Sequence, residues 1–242
     1  MNNLDFNKIL SKELNNTIDN KYILLGVPKH MNLGDTLIWE AETQILDLLN
    51  KERLSTYFFN TNANDIIVDK DTIIVWNGGG YFNVYSRELQ SYKQAFKLEN
   101  IKNILIPDVV LGWDINKYLN KCNIKTTEGN NILYISRNDR EKEKFYDIQY
   151  DYQSDWPTLI SKPNYLKYSN IADWEIYIKP LLVEDALKFV LPYKTIISDR
   201  MHGAILSWLL GKTTILIDNS YHKSKSLYDT WLIEDNNITL YE

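Results

Sequence analysis

The sequence is poor in the residues that usually mark metal sites and disulfide frameworks. Its one cysteine, Cys122, excludes an intramolecular disulfide and a cysteine-based zinc site. Its three histidines are scattered along 242 residues and lack the spacing of metal ligands. The net charge of -5 argues against a broad surface for nucleic acid. We therefore expect no metal, no cofactor and no nucleic-acid partner.

Long apolar runs are absent as well. No stretch approaches the roughly 20 apolar residues of a membrane-spanning helix. The polar segment 1–20 has no apolar run like that of a signal peptide. We expect a soluble, cytoplasmic protein that contacts a membrane only peripherally, at its inner face. With 44% hydrophobic residues, the chain can fill the core of one large domain or of two small lobes.

Short apolar runs of β type alternate with helical patterns along the chain. The first unit is a strand at 22–27, a loop at 28–34 and a helix from Asp35 to about residue 50. This alternation predicts an α/β fold with mostly parallel sheets covered on both faces. Later strands are expected at 57–59, 72–76, 103–106, 132–136, 195–198 and 213–218, and later helices at 86–98 and 173–190.

Residues 116–130 are polar and rich in lysine, with few large apolar side chains. Such a stretch is typical of a connection between structural units. We therefore place a boundary there and expect two lobes, formed by residues 1–120 and 121–242.

Four polar loops follow predicted strands, at 32–35, 77–80, 198–203 and 218–223. In open parallel sheets, ligands bind beyond the carboxyl ends of the strands, where loops lead into helix N-termini. Asp35 either hydrogen-bonds a ligand or caps its helix, and the three glycines either let the backbone approach a ligand or form a tight turn. The candidate binding residues are Asn32, Gly34, Asp35, Gly78, Gly79, Gly80, Asn219, Ser220, Tyr221 and Lys223.

The loop after the strand at 195–198 contains the main catalytic candidates. On an extended backbone, Arg200 and His202 would project to the same side. A guanidinium holds an anion, and an imidazole transfers a proton near neutral pH. The alternative for His202 is a structural histidine. Arg137 is the candidate for a second cation, with Arg140 as its competitor, and a solvated surface charge is the alternative for both.

Other features have simpler explanations. His30 and His222 lie in polar loops, where an exposed imidazole needs no special role. The tripeptide Gly211-Lys212-Thr213 looks like part of a phosphate-binding loop, but such a loop lies between a strand and a following helix. Here a helix is predicted before the tripeptide and a strand after it, so we interpret Gly211 as a helix stop.

Several of these segments together resemble the polysaccharide pyruvyl transferase family over most of the chain. The most specific match is Ser198-Asp199-Arg200-Met201-His202-Gly203, which is similar to the S/T-x-R-x-H-G signature of that family. Further matches in the same order are Asn32-Leu33-Gly34-Asp35, Asn77-Gly78-Gly79-Gly80, Ser136-Arg137-Asn138-Asp139 and Asp155-Trp156-Pro157.

The resemblance implies a compact version of a two-lobed, GT-B-like fold, with two Rossmann-like lobes. The first lobe would bind the acceptor and the second phosphoenolpyruvate, a co-substrate. The reaction would form a pyruvate ketal on a sugar of a capsule, an exopolysaccharide or a lipid-linked precursor. Arg200 would clamp the anion and His202 would act as acid or base. A glycosyltransferase using a nucleotide-activated sugar and a non-catalytic glycan-binding protein are the alternatives, and the sequence leaves the oligomeric state open.

Overall fold

Parallel strands organise both halves of the chain. The computed structural model describes residues 2–69, 71–78, 107–126, 129–138, 142, 147–156, 167–219 and 222–241. Within these residues, one sheet has the order β2-β1-β3 and the other the order β5-β4-β6-β7-β8, and every pairing is parallel. The strands are β1 (Lys21–Val27), β2 (Glu52–Phe58), β3 (Ile73–Trp76), β4 (Ile132–Ile135), β5 (Tyr152–Ser154), β6 (Thr195–Ser198), β7 (Thr213–Ile217) and β8 (Ile238–Tyr241).

Helices connect and cover these strands. The helix α4 consists of Ile171–Asp173, the π-helical Trp174–Ile178 and Lys179–Val190, which follow one another without a break. Two short 3-10 helices span Ala63–Asp65 and Val109–Gly112. The remaining helices are α1 (Asn3–Thr17), α2 (Leu33–Asp47), α3 (Ile115–Lys121), α5 (Met201–Leu209) and α6 (Lys223–Leu227), which continues as the π-helical Tyr228–Leu232.

After Lys21, the central strand β1 has no charged residue, because both faces of its sheet are covered. Successive side chains of a strand point to opposite faces. Accordingly, Ile23 and Leu25 pack in a small cluster with Ala63 and Ile66, whereas Leu24 belongs to the main core. This double burial explains why the run at 22–27 shows no polar alternation.

The main core is shared by the two halves of the chain. The N-terminal helix α1 inserts Phe6 against Trp208 and Trp231, with ring centroids 6.0 and 6.2 Å away. The ammonium of Lys179 in α4 lies 2.9 Å from Glu40 of α2, and both side chains are largely buried. Helix α1 therefore packs on elements from the C-terminal half.

The α/β class with parallel sheets is confirmed, and so is the interpretation of Gly211 as a helix stop. Gly211 has a φ of +70°, and the amide of Lys212 donates to the Ser207 carbonyl at 3.0 Å. The Lys212 ammonium donates to the Leu191 carbonyl at 2.7 Å, which is a structural role.

Among the described strands and α-helices, five were not predicted: α1, α3, α6, β5 and β8. Helix α3 begins at Ile115 and extends into the polar segment 116–130, and Asp114 caps its N-terminus. The helix expected at 86–98 and the strand expected at 103–106 lie outside the described residues. The division at residue 120 stays a prediction. No helix in the described part of the chain has both the length and the apolar composition needed to cross a membrane.

Candidate active site

The carboxyl ends of β4, β5, β6 and β7 lie at one edge of the larger sheet because these strands are parallel. Charged residues follow these ends within one or two positions: Arg137 after β4, Asp155 after β5, Arg200 after β6 and Asp218 after β7. Four charged residues therefore lie at this edge of the larger sheet.

His202 lies in the first turn of α5 and pairs with a carboxylate from a distant segment. Its Nε2 atom is 3.2 Å from Oδ2 of Asp108, and the two side chains are 11% and 18% exposed. Burial by itself raises the pKa of Asp108, but His202, the Val110 amide and the charge of Lys223 hold that pKa below its usual value. Asp108 is therefore a carboxylate aimed at the imidazole.

The other ring nitrogen of His202 faces the N-terminal half of the chain. A Cβ atom built on Gly34 would lie 3.0 Å from Nδ1 and 3.4 Å from Cβ of His202. Gly34 is buried in the first turn of α2. Two loops singled out in the sequence, 32–35 and 198–203, thus meet at this contact, and glycine provides the space for the imidazole.

Asn32, rather than Asp35, caps α2, so the helix begins earlier than expected. The Asn32 Oδ1 atom accepts a hydrogen bond from the Gly34 amide at 3.0 Å, and its Nδ2 group donates to Asp35 at 2.9 Å. The capping interpretation of Asp35 was wrong because its position is inside the first turn. His30 Nε2 lies 3.5 Å from the Asp35 carboxylate, and burial lowers the pKa of His30 while Asp35 raises it.

Arg200 is bound to a buried carboxylate. Its Nε and Nη2 groups donate to the two oxygens of Asp155 at 2.8 and 2.7 Å, a bidentate pair. Asp155 also accepts the amides of Trp156 and Asn138. The expectation that Arg200 and His202 share an extended backbone was wrong: Arg200 precedes α5 in an extended conformation, whereas His202 is helical. The two side chains therefore reach different carboxylates.

Asp199 is a third buried carboxylate, 4% exposed, at the end of β6. It accepts the Arg137 amide at 2.7 Å and the Tyr134 hydroxyl at 3.4 Å. Burial raises the pKa of Asp199 to about 6, against the opposing effects of the Arg137 amide and of the nearby charges of Lys142, Arg137 and Arg200. Asp199 thus fixes the backbone at Arg137, the predicted second cation.

Asp218, directly after β7, accepts the Lys225 amide at 3.0 Å. His222 Nδ1 lies 2.6 Å from Oδ2 of Asp218, but the His222 side chain is 70% exposed. Asn219 is buried and its Oδ1 accepts the Lys223 amide at 3.1 Å. The positive charge of Lys223 acts on Asp108. Of Asn219 and Lys223, the two predicted residues of the loop 218–223 that the structure describes, Lys223 is the one whose charge affects the His202 pair.

Gly78, the described member of the three glycines, lies two residues after β3. A Cβ atom on Gly78 would lie at an ordinary contact distance of 3.5 Å from Ile38, one helical turn after Gly34 on α2. Gly78 therefore lies beside the same helix. The predicted binding residues Gly79, Gly80, Ser220 and Tyr221, and also Arg140, lie outside the described residues.

Three carboxylates of this region were not among the predicted site residues: Asp108, Asp155 and Asp199. Asp108 and Asp199 each follow a predicted strand within two positions, which is the signal that singled out the other loops, whereas Asp155 follows β5, which was not predicted. Among the described residues, no group of three or more His, Cys, Asp or Glu side chains could hold a metal ion. The prediction that the protein needs no metal stays a prediction.

Comparisons with known proteins agree on one family. The family model "Polysaccharide pyruvyl transferase" matches residues 79–221, more than half of the chain. "Putative pyruvyl transferase EpsO" of Bacillus subtilis (strain 168) is 26% identical over 67% of this chain and 54% of its own. The present chain therefore spans about half the length of that relative. "Pyruvyl transferase 1" of Schizosaccharomyces pombe (strain 972 / ATCC 24843) is 23% identical over 88% of this chain and 70% of its own.

A solved structure supports the fold independently of these names. The functionally uncharacterized protein KP1_0663 of Klebsiella pneumoniae subsp. pneumoniae NTUH-K2044 superposes with a TM-score of 0.63. The match covers the whole of both chains at 17% sequence identity. At that identity it bears on the fold alone, and it agrees with two Rossmann-like lobes.

Proposed function

The chain belongs to the polysaccharide pyruvyl transferase family, and from that premise we propose that it transfers a pyruvyl unit from phosphoenolpyruvate to a sugar. The acceptor is a saccharide of a surface polysaccharide, such as a capsule or an exopolysaccharide, or of its lipid-linked precursor. The product is a pyruvate ketal. The enzyme works in the cytoplasm and reaches a lipid-linked acceptor at the inner face of the membrane.

The donor carries a phosphate and a carboxylate, so an acidic protein must bind it with a local group of cations. Arg137 and Arg200 follow neighbouring parallel strands, and Lys223 begins α6 after the next one. These three side chains are our proposed anion site. Asp155 fixes the Arg200 guanidinium at two of its five N–H donors, which orients that residue.

The chemistry requires controlled proton transfer. The methylene carbon of phosphoenolpyruvate gains a proton, two sugar hydroxyls form bonds to the adjacent carbon, and the bond from that carbon to the phosphate oxygen breaks. One hydroxyl proton ends on the new methyl group, and the other leaves with inorganic phosphate. His202 is the proposed group that carries a proton between these partners.

The observation that carries this proposal is the position of His202. Its imidazole is held by Asp108 on one side and faces Gly34 of the predicted acceptor loop on the other. A proton carrier between the predicted donor and acceptor regions is what a ketal-forming enzyme needs. Asn32 and Asp35, at the start of α2, are the proposed contacts to the sugar.

The test is phosphate release from phosphoenolpyruvate with a panel of synthetic and lipid-linked glycosides, together with detection of the ketal by mass spectrometry. We expect acceptor-dependent release that His202→Gln abolishes. His222→Gln is the matched control, because His222 also pairs with a carboxylate but is exposed. Arg200→Ala is a poor probe, because it would leave the buried Asp155 unpaired and destabilise the fold.

Two other outcomes would contradict the proposal. Turnover of a nucleotide-activated sugar without any response to phosphoenolpyruvate would identify a glycosyltransferase. Glycan binding that persists in His202→Gln, without turnover of either donor by the wild type, would identify a non-catalytic protein.

A further inference from the structure

We propose that Asp108 is a positioning residue that fixes the tautomer of His202, so that Nδ1 exchanges the proton with substrate at the N-terminus of α2. The catalytic part of this inference rests on the proposed function. The tautomer itself is a property of the unliganded protein and can be tested separately.

The backbone that follows Asp108 is anchored by two groups of contacts. Its Oδ1 atom accepts the Val110 amide at 3.0 Å and so caps the 3-10 helix Val109–Gly112. Asn7 of α1 donates to the Gly112 carbonyl at 2.9 Å, and a Cβ atom on Gly112 would lie 2.6 Å from Leu10. With Oδ1 committed to the cap, the second oxygen is held toward the imidazole.

The chemistry of the pair selects one ring nitrogen. A carboxylate has lone pairs but no proton, so it can only accept a hydrogen bond. The lowered pKa of Asp108 agrees with an ionised carboxylate at this position. Nε2 of His202, 3.2 Å from Oδ2, must then carry the hydrogen, and neutral His202 keeps its lone pair on Nδ1.

The surroundings of Nδ1 define where the substrate would bind. Nδ1 faces Gly34, and the Gly34 amide already donates to Asn32. The first turn of a helix also carries partial positive charge, which favours an anion or a developing oxyanion. A reacting hydroxyl near Nδ1 would therefore lie beside Asn32 and Asp35, the proposed contacts to the acceptor.

The experiment compares Asp108→Asn with Asp114→Asn. Asp114 lies six residues later and caps α3 through its Oδ1 atom, so both changes keep a capping oxygen. Only Asp108→Asn places an amide N–H donor against Nε2 of His202. Nitrogen-15 NMR of labelled, unliganded protein, at a pH where the imidazole is neutral, reports which ring nitrogen of His202 carries the proton.

We expect the Nε2–H tautomer in the wild type and in Asp114→Asn, and a shift toward Nδ1–H in Asp108→Asn. The kcat for phosphate release should fall about a hundredfold to ten-thousandfold in Asp108→Asn, with a much smaller change in the KM for phosphoenolpyruvate. Asp108→Glu restores a carboxylate and should recover the tautomer at least in part.

An Nδ1–H tautomer in the wild type, or an unchanged tautomer in Asp108→Asn, would overturn the positioning role. If the tautomer behaves as expected while no acceptor supports phosphate release, the proposed function fails and the catalytic half of this inference fails with it. The assignment of the Nε2 proton to the Asp108 pair would then still hold.

Discussion

Replacing Gly34 with alanine should affect the stability of the fold and the activity of the site differently. Gly34 is helical and has no positive φ, so its backbone accepts alanine. Glycine costs a helix about 0.5–1 kcal/mol relative to alanine, and the substitution recovers part of that free energy. The added methyl, however, would lie 3.0 Å from Nδ1 of His202 and 3.3 Å from Oδ1 of Asn32.

Contacts at these distances require the imidazole to move by a few tenths of an ångström. Repacking of one partly buried ring offsets the gain in helix propensity, so the free energy of unfolding should change by less than about 1 kcal/mol. A displacement of about 1 Å at a reacting group costs on the order of a hundredfold in rate, so the smaller shift should lower kcat about tenfold. Stability and activity should therefore respond differently.

The assays are urea unfolding and phosphate release from phosphoenolpyruvate with the best acceptor. Thr43→Ala is the control on the same helix, because Thr43 donates only to the Trp39 carbonyl one turn earlier and does not contact the imidazole. It should keep full activity. Full activity in Gly34→Ala would refute the idea that the space beside Nδ1 is used in the reaction, and a loss of several kcal/mol in stability would refute the packing argument.

Two further predictions concern buried charge. Glu42 is buried without a hydrogen-bond partner for Oε2 among the described residues, and burial raises its pKa to about 8. The folded state thus binds the carboxyl proton of Glu42 more tightly than the unfolded chain does. As the pH rises toward 8, the free energy of unfolding of the wild type should therefore fall relative to that of Glu42→Gln, by roughly 1.4 kcal/mol per pH unit at most. Urea unfolding from pH 5 to 8 checks this, and parallel curves would contradict it. For the Arg200–Asp155 pair, Arg200→Met and Asp155→Leu should each cost about 3–5 kcal/mol, but the double variant should cost clearly less than their sum. Additive losses in a double-mutant cycle would show that the two groups are not coupled.

The predictable parts of the fold are those that depend on neighbouring residues in the chain. The run at 22–27 became the buried strand β1, and the helix after the loop 28–34 became α2. By contrast, α1 was not predicted, because it has only two fully buried apolar side chains. Phe6 packs against Trp208 from the far end of the chain, and Leu10 lies beside Gly112. The short strands β5 and β8 lie at the edges of their sheet, and β5, Tyr152-Gln153-Ser154, has no apolar run to mark it.

The candidate site shows the same division. Asn32, Gly34, Arg200 and His202 were identified from loops that follow strands, a feature of the local pattern. Their interactions were not predictable: Asp108 is 94 residues from His202 and Asp155 is 45 residues from Arg200. No local pattern encodes pairs that are so far apart in the chain.

By itself, the sequence determined the alternation of strands and helices, the loops that could bear chemistry and the resemblance to one family, because each depends on residues close together in the chain. Only the tertiary structure decided that Arg200 and His202 reach two different carboxylates, and that the imidazole of His202 faces Gly34 of α2. Those relations depend on how the two sheets and α1 pack around a shared core. They arise only when distant segments are buried together.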